Sequence, residues 1–314
     1  MTAAIPPKRA DAPFASGASP DTSQAAIGDA IDRLAAARHP VLVVIDFDGT
    51  LSVGSRDPAV ARIEPAAQRA LRHLARVAAA RPERLHVAIL TGRTVADVAG
   101  RVRVGGVEYL GDHGLQHAMV ARGGRASAIA GRVVTEARFD RHRDPAETLA
   151  RSVATELGAP SWLFVERKGP SVAFHVRLAD DVIAARAAVV AAIAAVERRE
   201  GLLDHGLAHY RGRSVVDLRP LDAGGKREAV DRLLARHRPG AVVVLGDELS
   251  DVDAFESVLA ARRADARLVA TTIAIHAAGR PAPAELLAVA DMSLASARRV
   301  GPFLAALARA LEGR

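Results

Sequence analysis

The sequence predicts an α/β protein, a doubly wound, Rossmann-like parallel sheet interrupted by an α+β insert. Three observations predict it. The stretches 41–45, 85–90 and 241–245 are continuously apolar, as strands are when helices cover both faces of their sheet. Segments of helical periodicity alternate with them, which favours parallel pairing. Between about 117 and 220 the rhythm changes to short, less apolar strands in hairpin-like pairs.

Residues 1–24 are rich in Ala, Pro, Ser and Asp without apolar periodicity, and are expected to be a disordered tail. A short amphipathic helix over 25–38 leads into the first strand. The stretch 52–64 reads as an irregular loop. Residues 65–80 form a helix with Leu71, Leu74 and Val77 at core spacing. The strand at 85–90 ends in Thr91-Gly92-Arg93, a helix spans 94–102, and a third strand at 107–110 ends in Gly111-Asp112-His113-Gly114. The insert, 117–221, carries strands near 128–136, 162–166, 171–177, 205–211 and 214–218, with helices near 145–158 and 180–200. From Gly224 the α/β rhythm resumes: helix 226–237, strand 241–245, helix 251–260, strand 266–270, a helix from about Pro283 and a last helix over 296–312. The core is therefore expected over 25–116 and 222–314.

Composition narrows the function. The chain has 314 residues, enough for two domains, and half of them are hydrophobic. It has no cysteine, which excludes disulfides and thiolate chemistry and suits a reducing compartment. No apolar run could span a bilayer, and the beginning lacks a signal pattern, so the cytoplasm is the expected location. The net charge of +7 invites a nucleic-acid reading. The positive charge is scattered, however, and aromatics make up only 3% of residues, too few for stacking platforms. Lysine occurs only at Lys8, Lys168 and Lys226 among many arginines. A lysine kept in such a background marks a place that needs a compact ammonium.

Four strand-end constellations carry the chemistry. Asp46-Phe47-Asp48-Gly49-Thr50 follows the first buried strand. A period of two puts Asp46 and Asp48 on one side, and two close carboxylates need a shared proton or a bound cation. An Asx turn explains one aspartate there, not two. Gly246-Asp247-Glu248-Leu249-Ser250-Asp251 follows another buried strand. It reads either as an acidic helix start or as oxygen ligands that, with the first pair, suit Mg²⁺. Thr91 offers a hydroxyl beside helix amides, as a phosphate contact or a plain N-cap. Lys226 opens a helix, where the dipole disfavours a cation unless an anion is bound. Jointly the four suggest phosphoryl transfer.

This order of motifs resembles the haloacid-dehalogenase (HAD) phosphatase superfamily. The resemblance implies a HAD-type core with an inserted cap that selects substrate. It makes Asp46 the nucleophile and Asp48 the acid and base, with Thr91 and Lys226 holding the phosphoryl group. Mg²⁺ would lie on Asp46, Asp247 and the backbone carbonyl of Asp48, with Asp251 orienting the shell. The insert stretch Glu166-Arg167-Lys168-Gly169…Ser171-Val172-Ala173-Phe174-His175-Val176-Arg177 is similar to that of trehalose-6-phosphate phosphatases. So are Leu90–Arg93, Gly111–Leu115 and Val216–Pro220. On that resemblance Glu166 and Lys168 bind sugar hydroxyls, and Arg93, His113 and Gly114 line the substrate side. Gln116, Glu248 and Ser250 depart from the family pattern. The expectation is a small-molecule sugar phosphate as substrate, with neither nucleic acid nor membrane as partner. The alternatives are a sucrose-phosphate or mannosyl-3-phosphoglycerate type of phosphatase, and a non-catalytic sugar-phosphate sensor.

Overall fold

The computed structural model describes residues 22–54, 58–122, 129, 132–212, 214–277 and 281–313. Most of the expected tail, 1–21, lies outside them. Thr22 and Ser23, expected in that tail, make specific contacts instead: Ser293 N donates to Thr22 Oγ1 at 2.9 Å, and Ser23 caps the first helix.

The first half of the core runs Gln24–Ala36 (α1), Val41–Ile45 (β1), Pro65–Ala80 (α2), Leu85–Leu90 (β2), Val95–Val102 (α3), Glu108–Gly111 (β3), Gln116–Met119 (β4) and Val134–Thr135 (β5). The insert follows: Arg143–Glu156 (α4), Phe164–Arg167 (β6), Val172–His175 (β7), Val182–Arg199 (α5), Leu207–Arg211 (β8) and Val215–Pro220 (β9). The core then closes with Gly225–His237 (α6), Ala241–Gly246 (β10), Val252–Ala264 (α7), Val269–Ile275 (β11), Ala284–Ala288 (α8), Met292–Leu294 (β12) and Ala297–Glu312 (α9).

The large sheet has the order β12-β11-β10-β1-β2-β3-β4-β5. The six strands from β12 to β3 are parallel, while β4 and β5 add on antiparallel. Alternate β1 residues feed two cores. Val41, Val43 and Ile45 pack with α1, α2, α3 and α9 on one face. Leu42 and Val44 pack with Ala229, Val230, Phe255 and Val258 of α6 and α7 on the other. Each such fully buried branched side chain contributes about 1.5–3 kcal/mol. β1 is therefore apolar at every position because it has no solvent face.

Register places the functional ends. Ile45 lies opposite both Ile89 and Leu245, so β2, β1 and β10 finish level with one another. The chain leaves β1 toward β2 and β3 and returns to β10 on its other side. That reversal opens a crevice at the carboxyl ends.

The small sheet, β6-β7-β9-β8, is antiparallel throughout. Val172, Phe174, Val216 and Leu218 pack against α4 and α5 on one face. The opposite face carries Glu166, Ala173 and Asp217 in one cross-strand row.

Several expectations change. The strand expected at 128–136 within the insert lies partly outside the described residues, and its described strand, β5, pairs with β4 and extends the large sheet. Gln116–Met119 is likewise a strand of that sheet. Short polar stretches carry no signal for which sheet they join. The 266–270 strand begins later, at Val269, because Asp265 Oδ1 accepts from Arg267 N in a turn and β10 sets the register. The three-residue β12 was too short to show a pattern. Among the described residues, no helix is long and apolar enough to cross a membrane.

Candidate active site

Asp46 follows β1 directly and is buried. Its Oδ1 accepts a 2.8 Å hydrogen bond from Lys226 Nζ, which donates a second, at 2.6 Å, to Asp251 Oδ1. Lys226 is the second residue of α6, where a cation is out of place by the helix dipole. Here the two carboxylates reverse that sign. Burial opposes its charge, but Asp251 and Asp46 outweigh burial and hold the ammonium protonated.

Asp251 uses its other oxygen, Oδ2, to accept from Asp247 N and Glu248 N, both at 3.0 Å. The second of these is half of a reciprocal cap, between Glu248 and Asp251, on the 3-10 turn Leu249–Asp251 that leads into α7. Asp247 is fixed from the other side. Thr50 Oγ1 donates to its Oδ1 at 3.4 Å, and Gly49 passes close enough that an added Cβ would sit 2.0 Å from Oδ2. Gly49 also has a φ of +83°, which disfavours other residues. Gly49→Ala is expected to weaken divalent-cation binding at least tenfold, a loss of about 1.4 kcal/mol. Calorimetric titration with Mg²⁺ checks it.

One carboxylate oxygen from each of Asp46, Asp247 and Asp251 lies within 4.8 Å of the others. Burial pushes Asp46 well above the usual carboxylate range, with Asp251 and Asp48 adding to the rise and Lys226 opposing it. Burial raises Asp247 too, reinforced by Asp46 and Glu248. Were all three ionised, three carboxylates facing one ammonium would leave two negative charges uncompensated, and that surplus is part of what raises Asp46 and Asp247. An all-oxygen cluster with that surplus fits a hard divalent cation.

Asp48 stands apart from this cluster. Arg93 clamps it bidentately, Nε to Oδ2 at 2.6 Å and Nη2 to Oδ1 at 2.8 Å, and also donates to Asp97 Oδ2 at 2.8 Å. Asp46 and Asp48, two positions apart, are therefore not one pair sharing a single counter-charge. In the structure each has its own cation, Lys226 for one and Arg93 for the other. Thr91 is buried with its Oγ1 accepting from Arg93 N at 3.2 Å. The N-cap of α3 is Thr94, whose Oγ1 accepts from Asp97 N, so the plain N-cap reading of Thr91 does not hold.

The insert closes over these strand ends. A cavity of about 450 Å³ is lined by Asp46, Asp48, Thr91 and Lys226 below and by Phe164 and Glu166 above. Glu166 Oε2 lies 3.0 Å from His175 Nε2. Burial would raise the Glu166 carboxyl, but His175 and Lys168 hold it below its ordinary value. Lys168 is 5% exposed. Its Nζ donates to Gly92 O at 2.9 Å and Asp217 Oδ1 at 3.3 Å, and sits 3.9 Å from Glu166 Oε2.

Around Lys168 runs a seam that sequence reasoning missed. Ser171 Oγ donates to Asp112 Oδ2. Burial pushes Asp112 up to about 6, with Asp217 adding and Lys168 opposing. His113 Nε2 lies 3.3 Å from Asp217 Oδ2. Burial and the Arg219 charge push His113 down to about 3, so its imidazole is neutral. Asp112 and Asp217 stood inside quoted motifs, but nothing local marked them as partners of Lys168. Gly114 does not line the cavity: an added Cβ there would lie 2.5 Å from Ala229 Cβ of α6.

Gln116 joins both parts. It is 8% exposed, its Oε1 accepts from Val95 N at 2.9 Å, and its Nε2 donates to Lys168 O at 2.8 Å. At neutral pH an amide satisfies both partners and a carboxylate does not, which accounts for glutamine here. Gln116→Glu would set a carboxylate oxygen against the Lys168 carbonyl. A loss of about 1–3 kcal/mol in unfolding free energy is expected at neutral pH. Urea denaturation measures it, and the loss should shrink in acid, where a protonated glutamic acid donates again.

Comparison with known proteins places the chain. Residues 44–279 match the trehalose-phosphatase family. The trehalose-phosphate phosphatase of Mycolicibacterium paratuberculosis is 40% identical over 248 residues, covering 76% of this chain and 56% of that protein. That of Mycobacterium avium is 39% identical over 249 residues, with the same coverage. The chain thus spans about half the length of these curated relatives. The C-terminal domain of Candida albicans trehalose-6-phosphate phosphatase superposes with a TM-score of 0.70 at 20% identity, covering 94% of this chain and 99% of that one. A haloacid dehalogenase-like hydrolase from Bacteroides thetaiotaomicron superposes at 0.55 with 13% identity, covering 85% and 98%. The two superpositions show a shared fold, HAD-like α/β, as the motif order anticipated. With its family matched over three quarters of its length, the chain belongs to the trehalose-phosphatase family.

Proposed function

We propose that this chain is a Mg²⁺-dependent phosphatase that hydrolyses trehalose 6-phosphate to trehalose and phosphate. One observation carries the reading: buried Asp46, bonded to Lys226 and part of a three-carboxylate cluster, lines a cavity whose wall on the insert side carries Glu166. The family match and the names of the relatives support the choice of substrate.

In this reading an Asp46 oxygen attacks phosphorus and the bond from phosphorus to the sugar oxygen breaks. Asp48 gives its proton to that oxygen, and trehalose leaves. Water then attacks the aspartyl-phosphate, Asp48 takes a proton from it, and the bond from phosphorus to Asp46 breaks. The Arg93 clamp fixes the place of Asp48, and Arg93 must release one of its two bonds when Asp48 carries the proton. Lys226 and Thr91 hold phosphoryl oxygens. Asp46, Asp247 and the Asp48 backbone carbonyl would hold Mg²⁺, which supplies charge neutralisation. Asp251, already bonded to Lys226 and two backbone amides, orients that shell. The cysteine-free composition fits a cytoplasmic setting.

Phosphate release from a sugar-phosphate panel, with and without Mg²⁺, tests the reading. Trehalose 6-phosphate is expected to have the highest kcat/KM. A preference for sucrose phosphate or mannosyl-3-phosphoglycerate would refute the substrate, and Mg²⁺-independent or absent release would refute the chemistry.

A further inference from the structure

Six of the seven phenylalanines lie in the described residues, and five of them are buried: Phe47, Phe139, Phe174, Phe255 and Phe303. Phe164 is the exception, 53% exposed on the cavity wall. Exposure of one apolar side chain is ordinary by itself, but this ring lines the cavity, where a bound molecule could cover it and gain burial free energy.

Its surroundings state which kind. Phe164 and Glu166 are two apart on β6, so both project from one face, and both line the cavity. His175 lies opposite Phe164 across the β6–β7 pair, with ring centroids 5.6 Å apart and planes tilted by 37°. The same His175 contacts Glu166 through Nε2. The ring is thus braced on one side and open to the cavity. An apolar plane beside a carboxylate acceptor matches a pyranose, which has a C–H face and a rim of hydroxyl donors. Phosphate chemistry does not need this feature, because the phosphoryl contacts lie on the core strand ends.

We propose that Phe164 is a specificity-determining residue that stacks on a pyranose ring of the leaving group. The inference rests on the sugar-phosphatase reading above and deepens it. Phe164 sorts phosphate esters by whether they carry a sugar ring, and acts on substrate affinity rather than on the chemical step.

The test compares trehalose 6-phosphate with acetyl phosphate, which has no ring, in wild type and in Phe164→Ala, Phe164→Leu and Phe164→Trp. The readout is the ratio of the two kcat/KM values. Phe164→Ala and Phe164→Leu are expected to lower that ratio about tenfold through KM for the sugar, while Phe164→Trp keeps it within about twofold. A leucine variant that keeps the wild-type ratio overturns stacking, since Leu preserves apolar bulk without the flat face. An unchanged ratio in the alanine variant, or a change confined to kcat, overturns the inference as well. If another pyranosyl phosphate outperforms trehalose 6-phosphate in wild type, the substrate reading fails, and the same series with that ester decides the role of Phe164. A wild type active on acetyl phosphate but on no sugar phosphate overturns both.

Discussion

Asp46→Asn is expected to abolish phosphate release, by on the order of 10⁴-fold or more, the scale seen when a covalent nucleophile is lost. The variant should keep its fold. Asparagine is nearly isosteric, and Lys226 retains Asp251 as its partner. Burial already works against charge at Asp46, so removing that charge relieves a desolvation cost while giving up one ion pair. The two effects oppose each other, and unfolding free energy is expected to move by no more than about 1 kcal/mol. Malachite-green phosphate detection and circular dichroism measure both. Turnover retained in the variant would rule out an aspartyl-phosphate at this position.

Lys226→Ala should be far more damaging to the fold. The ammonium spans two chain segments, bonding Asp46 at the end of β1 and Asp251 at the start of α7. Its removal strands both carboxylates, together with Asp247, in a buried cluster. Breaking a buried pair on one side typically costs about 3–5 kcal/mol, because the remaining charge has no compensation. In metal-free buffer a loss of that size in chemical denaturation is expected, with phosphate release reduced by about 10²–10³-fold. Millimolar Mg²⁺ should restore part of the stability, since a cation in the cluster supplies the missing charge. Stability equal to wild type without metal would mean that the carboxylates take up protons instead, and the surplus-charge account of the cluster would fall.

The two variants separate what the same pair of atoms does. Asp46→Asn removes the proposed chemistry and spares the fold, whereas Lys226→Ala damages both. Gly49→Ala probes a third aspect, the close approach that holds Asp247.

The parallel core and the acidic strand ends were legible from sequence because both are local. A continuous apolar run reports a strand covered on both faces, and a carboxylate right after it reports a strand end. Lys226 stood out for a local reason too, its place at the wrong end of a helix dipole. Partnership was not legible. Asp46 and Lys226 are 180 positions apart, and level strand ends decide that they meet. Arg93 lines the cavity, where the resemblance places it on the substrate side, and nothing in the sequence indicates that it also clamps Asp48. Asp112, Ser171 and Asp217 carried no periodic signal: Asp217 reaches Lys168 through the strand pairing of the small sheet, and Asp112 reaches Ser171 only once the insert has folded back over the core. β5 joined the large sheet because edge hydrogen bonding, which two residues cannot encode, chose β4 as its neighbour. What the amino-acid order alone determined here is the class of fold and the residues able to do chemistry. What tertiary structure decided is which charges face one another, because burial makes an unpaired charge costly and the only partners within reach are those that sheet register brings there.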